Sequence, residues 1–283
     1  MVKAVALDMD GTLLDDQHQV SEELTALLRR WQGMGIRFFL ATGRTAREAA
    51  DVLPKQLKPD GIVGANGMVV MIDGKEIDAH EVPVPLTEAL VDGARKRGIY
   101  YEIHPAEGPR VAFQEDRQIL ENETDFRIDT GVAAHEAKSR EEAVANKIHW
   151  VDACPTERII KIYFFHRKKK TMTAWKEEVE GLKERFSFTT SSSSEHNVEV
   201  MAAGVNKATG VETLLEHYGL DRSDLLAIGD ANNDLPLLKM AGQAAVMQNG
   251  SEEVKRAIRD VTPKTNDENG VYDYLLQLEM KME

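Results

Sequence analysis

The sequence predicts an α/β protein in which a parallel sheet flanked by helices is interrupted by an inserted α+β domain. Three observations carry this reading. The first third alternates short apolar strands with amphipathic helices, and the last third returns to that pattern. The stretch between them is denser in charge and lacks strands that end in glycine. At 283 residues the chain has room for two cores, or for one core with a large insertion. The pattern places the core at 1–82 with 198–283 and the insertion at 83–197.

The elements follow in order. Val2 to Leu7 is a short apolar strand ending at Asp8. Ser21 has the chemistry of an N-cap, and Leu24, Leu27, Leu28 and Trp31 behind it recur at helical spacing, so 22–34 is predicted helical with Gly35 as its stop. Ile36 to Ala41 is a second strand ending at Thr42-Gly43-Arg44, a helix is expected over 45–53, and Gly61 to Gly64 is a third strand. Strand, helix, strand, helix, strand implies right-handed crossovers and a parallel sheet.

In the insertion, Arg110 to Phe113 and Arg158 to Phe165 read as strands, and 86–97 and 171–185 as helices. Glu136 to Asn146 reads as a solvated helix or loop, Arg167 to Lys170 as a solvated basic face, and Ser191 to Ser194 as a loop near the boundary. The last third offers a helix over 207–218, strands at 225–228 and 244–247, and helices over 235–241, 252–259 and 272–280.

Composition narrows the partners. With 48 acidic against 35 basic residues the formal charge is −13, which repels a polyanion, so nucleic acid is not an expected partner. The lone Cys154 forbids an intrachain disulfide and reads as an ordinary packing or surface residue. No apolar run has the length of a membrane span, and the first residues lack the pattern of a secretory signal, so no membrane contact and a cytoplasmic location are expected.

In a parallel sheet, ligands gather beyond the carboxyl ends of the strands. Four polar clusters are predicted there: Asp8-Met9-Asp10-Gly11-Thr12, Thr42-Gly43-Arg44, Lys207, and Gly229-Asp230-Ala231-Asn232-Asn233-Asp234. Taken singly, each is explained as a turn, a connection or a surface lysine. Together they match what phosphoryl transfer requires: a nucleophile, a proton donor and positive charge around the phosphoryl oxygens. Asp8 supplies a carboxylate nucleophile, and Asp10, two residues on, a carboxyl to face the leaving group as acid and then water as base. A hard divalent cation, Mg²⁺, would find oxygen ligands in Asp8, the backbone carbonyl of Asp10, and Asp230. Thr42 and Gly43 can hydrogen-bond a phosphoryl oxygen, and Lys207 adds an ammonium.

These residues resemble the haloacid dehalogenase superfamily, specifically its Cof-type phosphatases with a C2-type inserted cap. The matching pieces are Asp8 to Leu14, Ala41-Thr42-Gly43-Arg44, Asn66-Gly67, Gly204 to Lys207, Gly229-Asp230 with Asn233-Asp234, Ala245 to Gly250, and Asn266-Asp267 with Gly270-Val271. The likeness spans roughly the first eighty and last eighty-five residues; the insertion matches only in length and position. The resemblance implies a Rossmann-like core with Asp8 as nucleophile and metal ligand and Asp10 as acid/base. Met9, Thr42, Gly43, Lys207 and Asn233 would contact phosphate (Asn233 alternatively a neighbouring water), and Asp230 the magnesium. Asp234 would orient Lys207 or a nearby water. Arg44 would reach substrate or form an ion pair, and Asn66 would lie near the entrance. Ala231 departs from the small polar residue common in relatives.

The expected function is hydrolysis of a small-molecule phosphate monoester, a sugar phosphate or a cofactor or nucleotide phosphate, by a monomer or weak homo-oligomer. A phosphomutase using the same aspartyl phosphate and a non-catalytic phosphometabolite-binding protein are the alternatives. No G-x-G-x-x-G or P-loop follows the first strand, which argues against a nucleotide-binding fold. In the insertion, His104, Arg110 and His149 are candidates for substrate contact, each with an ordinary packing or surface reading beside it.

Overall fold

The computed structural model describes residues 2–126, 131–132, 134–155 and 158–280. The chain divides into two compact units, Met1–Ala79 with Val205–Glu283, and His80–Gly204.

In chain order the first unit opens with β1 (Ala4–Leu7), α1 (Glu22–Gly33), β2 (Arg37–Ala41), α2 (Ala46–Ala50), β3 (Gly61–Gly64), β4 (Val69–Ile72) and β5 (Lys75–Ala79). The second unit carries α3 (Val84–Arg97), β6 (Tyr100–Pro105), β7 (Val111–Phe113), α4 (Arg117–Glu123), α5 (Ala134–Glu142), β8 (His149–Val151), β9 (Ile159–Phe165), α6 (Lys169–Gly181), β10 (Phe188–Ser191) and β11 (Asn197–Ala202). The chain then returns through α7 (Lys207–Tyr218), β12 (Leu225–Gly229), α8 (Leu235–Met240), β13 (Gln243–Val246), α9 (Glu252–Ala257) and α10 (Gly270–Glu279).

The first unit's sheet runs β13-β12-β1-β2-β3-β4-β5, parallel from β13 to β3 and antiparallel through β4 and β5. Alternate residues of its central strands enter two cores. Val5, Leu7, Phe38, Leu40, Leu226 and Ile228 pack with α1 and α10 residues such as Leu28 and Leu275. Ala4, Ala6, Phe39, Ala41 and Ala227 pack with Val211 and Leu214 of α7 and with Leu237 of α8. Burial on both faces explains why these strands read as nearly continuous apolar runs. The antiparallel edge was not anticipated, although Asp73-Gly74 between Val69–Ile72 and Lys75–Ala79 is a hairpin signal, and both residues adopt positive φ.

The second unit is a six-stranded sheet of order β10-β11-β9-β6-β7-β8. One face packs on α3 and α6, with Trp175 against Phe164 at 5.2 Å between ring centroids. Three expectations are corrected here. Residues 198–204 belong to this unit, because β11 pairs antiparallel with both β10 and β9. Ser191 to Ser194 therefore joins two strands of this sheet, and Asn197 Oδ1 accepts the backbone N–H of Ser193 to hold that turn. The polar stretch 136–146 is not wholly solvated: Glu136 and Arg140 on α5 are each 9% exposed, because their charges are met by buried partners. Arg140 donates to Glu102, and Glu136 accepts from Ser194, Asn197 and Tyr163. The basic run at 167–170 is split, with Arg167 half-buried and tied to the Asp125 carbonyl and Lys169 exposed beside Glu195.

Candidate active site

Strands β1 and β12 are parallel neighbours, so their carboxyl ends deliver Asp8 and Asp230 to the same edge of the sheet. The first residue of α7 is Lys207, and its helix is capped by Asn206, whose side chain accepts the N–H groups of Ala208 and Thr209. Lys207 is fully buried and donates to Asp8 Oδ1 at 2.5 Å and to Asp234 Oδ1 at 2.6 Å. The other oxygen of Asp234 accepts the backbone N–H groups of Asp230 and Ala231, both at 3.0 Å. Asp234 is therefore saturated, and its role in the fold is to hold the lysine and the β12 loop together.

Carboxylate oxygens of Asp8, Asp230 and Asp234 lie within 4.8 Å of one another. One lysine cannot neutralise three adjacent carboxylates, two of them buried and that of Asp230 half-buried. Burial, the Asp234 charge and, more weakly, Asp10 push the Asp8 carboxyl up to about 7, against the pull of Lys207. Burial first and then Asp8 and Asp234 drive Asp230 well above the carboxylate range. For Lys207, burial opposes the ammonium but the two carboxylates more than offset it, so its pKa is raised. This excess of negative charge, with hard oxygen donors on adjacent loops, fits a small divalent cation.

The loop after β1 turns at Asp10 (φ −77°, ψ 127°) and Gly11 (φ 75°, ψ 1°), the two central residues of a type II turn. A side chain at Gly11 is excluded twice: φ is left-handed, and a Cβ would lie 2.6 Å from Asp230 Oδ2. The Met9 side chain is fully buried in the core, leaving only its backbone to face the site. The Asp10 carboxylate turns away from the three-carboxylate cluster. It receives Arg44 through two bonds, Nε to Oδ2 at 2.8 Å and Nη2 to Oδ1 at 2.5 Å, so Arg44 forms the ion pair. His18 Nδ1 stands 3.4 Å from Arg44 Nη2.

Thr42, buried beyond β2, accepts the Arg44 N–H on its hydroxyl at 3.0 Å. Beside Gly43 lies Asn66, whose Oδ1 accepts Asn233 Nδ2 at 3.3 Å. Asn66 is 1% exposed, so it does not mark an entrance as the family resemblance implied; its polar side chain is instead built into the interior. The structure thus gathers Asp8, Thr42, Gly43, Asn66, Lys207, Asp230, Asn233 and Asp234 within one unit, with Asp10 and Arg44 paired at the rim. Of the residues considered for the insertion, His104 and Arg110 both bind the buried Glu102, and His149 is exposed.

Two contributors, Asn249 and Asn266, were given no role from sequence. Asn249 donates to the Gly11 carbonyl at 2.8 Å and accepts the Asn266 N–H at 3.0 Å, while Asn266 Nδ2 donates to the Leu14 carbonyl at 2.9 Å. These two asparagines staple the Asp10–Gly11 turn to the C-terminal segment. Their placement in the tail motifs was the available signal.

A family model for haloacid dehalogenase-like hydrolases matches residues 5–275. The chain is 28% identical over 285 residues to the phosphatase YwpJ of Bacillus subtilis, covering 95% of this chain and 97% of that protein. It is 27% identical to the 5-amino-6-(5-phospho-D-ribitylamino)uracil phosphatase YwtE of the same organism, covering 98% of each. A solved haloacid dehalogenase-like hydrolase from B. subtilis superposes with a TM-score of 0.79 at 26% identity, over 96% of this chain and 98% of that one. Among the described residues no helix is long and apolar enough to cross a membrane. The chain belongs to the haloacid dehalogenase-like hydrolases, among their Cof-type phosphatases.

Proposed function

We propose that this phosphatase hydrolyses a small-molecule phosphate monoester with Mg²⁺, through an aspartyl phosphate on Asp8. The observation that supports this reading best is the buried constellation in which one lysine is shared by Asp8 and Asp234 beside Asp230. Asp8, Asp230 and the Asp10 carbonyl would hold the cation. When bound, it would cancel the repulsion between an anionic nucleophile and an anionic phosphate.

The chain's own residues account for the remaining requirements. Lys207, fixed by Asp234, holds Asp8 by one oxygen and leaves the other for attack on phosphorus. The same ammonium, with Thr42, the Gly43 amide and the Met9 backbone, would meet charge developing on the phosphoryl oxygens. Asp10 would give its proton to the departing ester oxygen and then take one from the water that cleaves the aspartyl phosphate. Arg44 ties the Asp10 carboxyl at the rim through two hydrogen bonds, and this pair would open for Asp10 to face the ester oxygen. For substrate class, the chain's likeness to a phosphatase of a phosphoribityl compound favours a phosphorylated sugar or a cofactor precursor.

The test is phosphate release from a panel of small phosphate esters and a generic aryl phosphate, with Mg²⁺ or with EDTA, for the wild type and Asp8→Asn. The wild type is expected to turn over only with the metal, and Asp8→Asn to lose on the order of 10⁴-fold or more in kcat. Turnover that survives in Asp8→Asn would rule out the covalent route.

A further inference from the structure

We propose that Asn249 is a positioning residue for the magnesium site, because the tripeptide Asn249-Gly250-Ser251 clamps together the two loops whose residues would hold the cation. This inference rests on the magnesium reading above and adds the element that sets the affinity of the site.

The sheet itself does not hold those loops together. The backbone of β1 is joined to β12 as far as the Asp8 N–H, which donates to the Ile228 carbonyl at 3.0 Å. Beyond that bond, residues 9–12 and 230–234 leave the sheet as separate loops. The bond between them from Thr12 Oγ1 to Asp230 Oδ1 is long, at 3.5 Å. Lys207 bonds Asp8 and Asp234, which leaves the Asp230 carboxylate, within 4.8 Å of theirs, to repel both. Before a cation arrives, that repulsion acts to spread the loops.

One short segment opposes the spreading from both sides. Asn249 Nδ2 donates at 2.8 Å to the carbonyl of Gly11, the residue after Asp10, whose own carbonyl is the proposed ligand. The Ser251 N–H donates at 2.9 Å to the carbonyl of Asp230. Between the two, Gly250 lies so close that a Cβ would stand 3.0 Å from that same Asp230 oxygen and 2.8 Å from the Met247 carbonyl. The tripeptide therefore holds Gly11 at one end and Asp230 at the other.

The clamp is anchored in turn. The Met247 N–H donates to the Gly229 carbonyl at 3.0 Å, and the Gln248 N–H to Thr262 Oγ1 at 3.0 Å. Asn249 Oδ1 accepts the Asn266 N–H, so the amide cannot turn over without losing the bonds at both of its ends. The Asn249 side chain is exposed, and packing makes no demand for an amide there. What this residue contributes is the tie between backbone groups. Loops held at the spacing that the cation needs reorganise less when it binds, and the saving is read as affinity.

The test is calorimetric binding of Mg²⁺ to the whole chain after treatment with EDTA. Asn249→Ala releases Gly11 while Ser251 still holds Asp230. It is expected to weaken Mg²⁺ binding by about tenfold, the lower end for residues that orient metal ligands, because the bond it removes is exposed. Its melting temperature in EDTA should stay close to that of the wild type, and kcat on an aryl phosphate should return at saturating Mg²⁺. Leu275→Ala supplies the contrast. It removes packing from the core between α1 and α10, so it should lower the melting temperature and leave Mg²⁺ affinity unchanged. Wild-type affinity in Asn249→Ala, an equal loss of affinity in Leu275→Ala, or a kcat deficit that saturating Mg²⁺ does not repair would each overturn the inference while leaving the phosphatase reading intact. A wild type that binds Mg²⁺ but hydrolyses no ester would overturn that reading alone, and a wild type that binds no Mg²⁺ would overturn the metal site and the clamp together.

Discussion

Two buried charge clusters, one in each unit of the chain, are built on opposite principles. Around Lys207 three carboxylates share one ammonium, and Asp8 is pushed up to about 7. Around Glu102 a single carboxylate is met by Arg110 at 2.8 Å, His104 Nε2 at 3.0 Å, Tyr100 Oη at 2.5 Å, and Arg140. Burial alone would raise Glu102, but Arg110 and Arg140, with His104, hold it well below the ordinary carboxylate range. A His104 kept neutral by burial and by Lys161 adds a hydrogen bond without further charge. The Glu102 carboxylate is met on both oxygens by cations and hydrogen-bond donors, and through Arg140, whose Nε alone is left without a partner, it ties α5 to β6. The Lys207 cluster leaves an electrostatic demand that the protein itself does not meet. Buried charge that is balanced serves architecture, and buried charge left out of balance points to a ligand of the opposite sign.

The contrast predicts where each cluster is fragile. The largest effect is expected from Glu102→Gln, which leaves two buried guanidinium groups facing a neutral amide. Breaking a buried pair in this way costs about 3–5 kcal/mol, to be read as a lowered unfolding free energy in urea, with magnesium affinity unchanged by calorimetry. A cost below about 1 kcal/mol would show that the Glu102 network is not the anchor of α5 described here.

The Lys207 cluster should behave the other way. Asp8 holds its proton more tightly in the folded protein, at about 7, than at its ordinary 3.8. Its contribution to stability is therefore full below pH 3.8 and is lost as pH rises to about 7, on the order of 4 kcal/mol in the metal-free protein. Asp8→Asn should flatten this slope in melting curves recorded in EDTA, and Mg²⁺ should restore the wild type at neutral pH. Identical pH slopes for wild type and Asp8→Asn would remove the electrostatic argument for the metal.

The smallest effect sharpens the comparison from outside both clusters. Lys169 and Glu195 form an exposed ion pair, and Lys169→Ala should change the unfolding free energy by no more than about 0.5 kcal/mol. A larger loss would mean that charge pairs in this chain matter for reasons other than burial.

The legibility of the sequence follows the same division. Strands β1, β2, β3 and β12 were readable because burial on both faces demands unbroken apolar runs, and the polar residues closing them marked the site directly. Asp8, Lys207 and Asp230 could be named because phosphoryl transfer restricts the chemistry so tightly. What was hidden depends on pairing across long separations. Glu136 and Arg140 read as solvated because their partners, Asn197 and Glu102, lie 61 and 38 residues away. Asn66 gave no sign of its burial, since asparagine next to glycine equally describes an exposed turn. Arg44 was open between substrate and ion pair, and only the rotation of the Asp10 side chain decides for the pair.

The strand order carries a consequence for biosynthesis. Strand β1 stands between β2 and β12, and the residues of β12 begin at Leu225, more than two hundred positions after Ala4. As the chain leaves the ribosome, all six strands of the inserted unit are complete by Ala202, while the sheet of the first unit still lacks β12 and β13. The apolar edge of β1 must wait without its second neighbour throughout that interval, exposed to chaperones or to the wrong strand. Asp8 waits with it. The three-carboxylate cluster is completed only once Asp230 and Asp234 have emerged, when most of the fold is present to bear it.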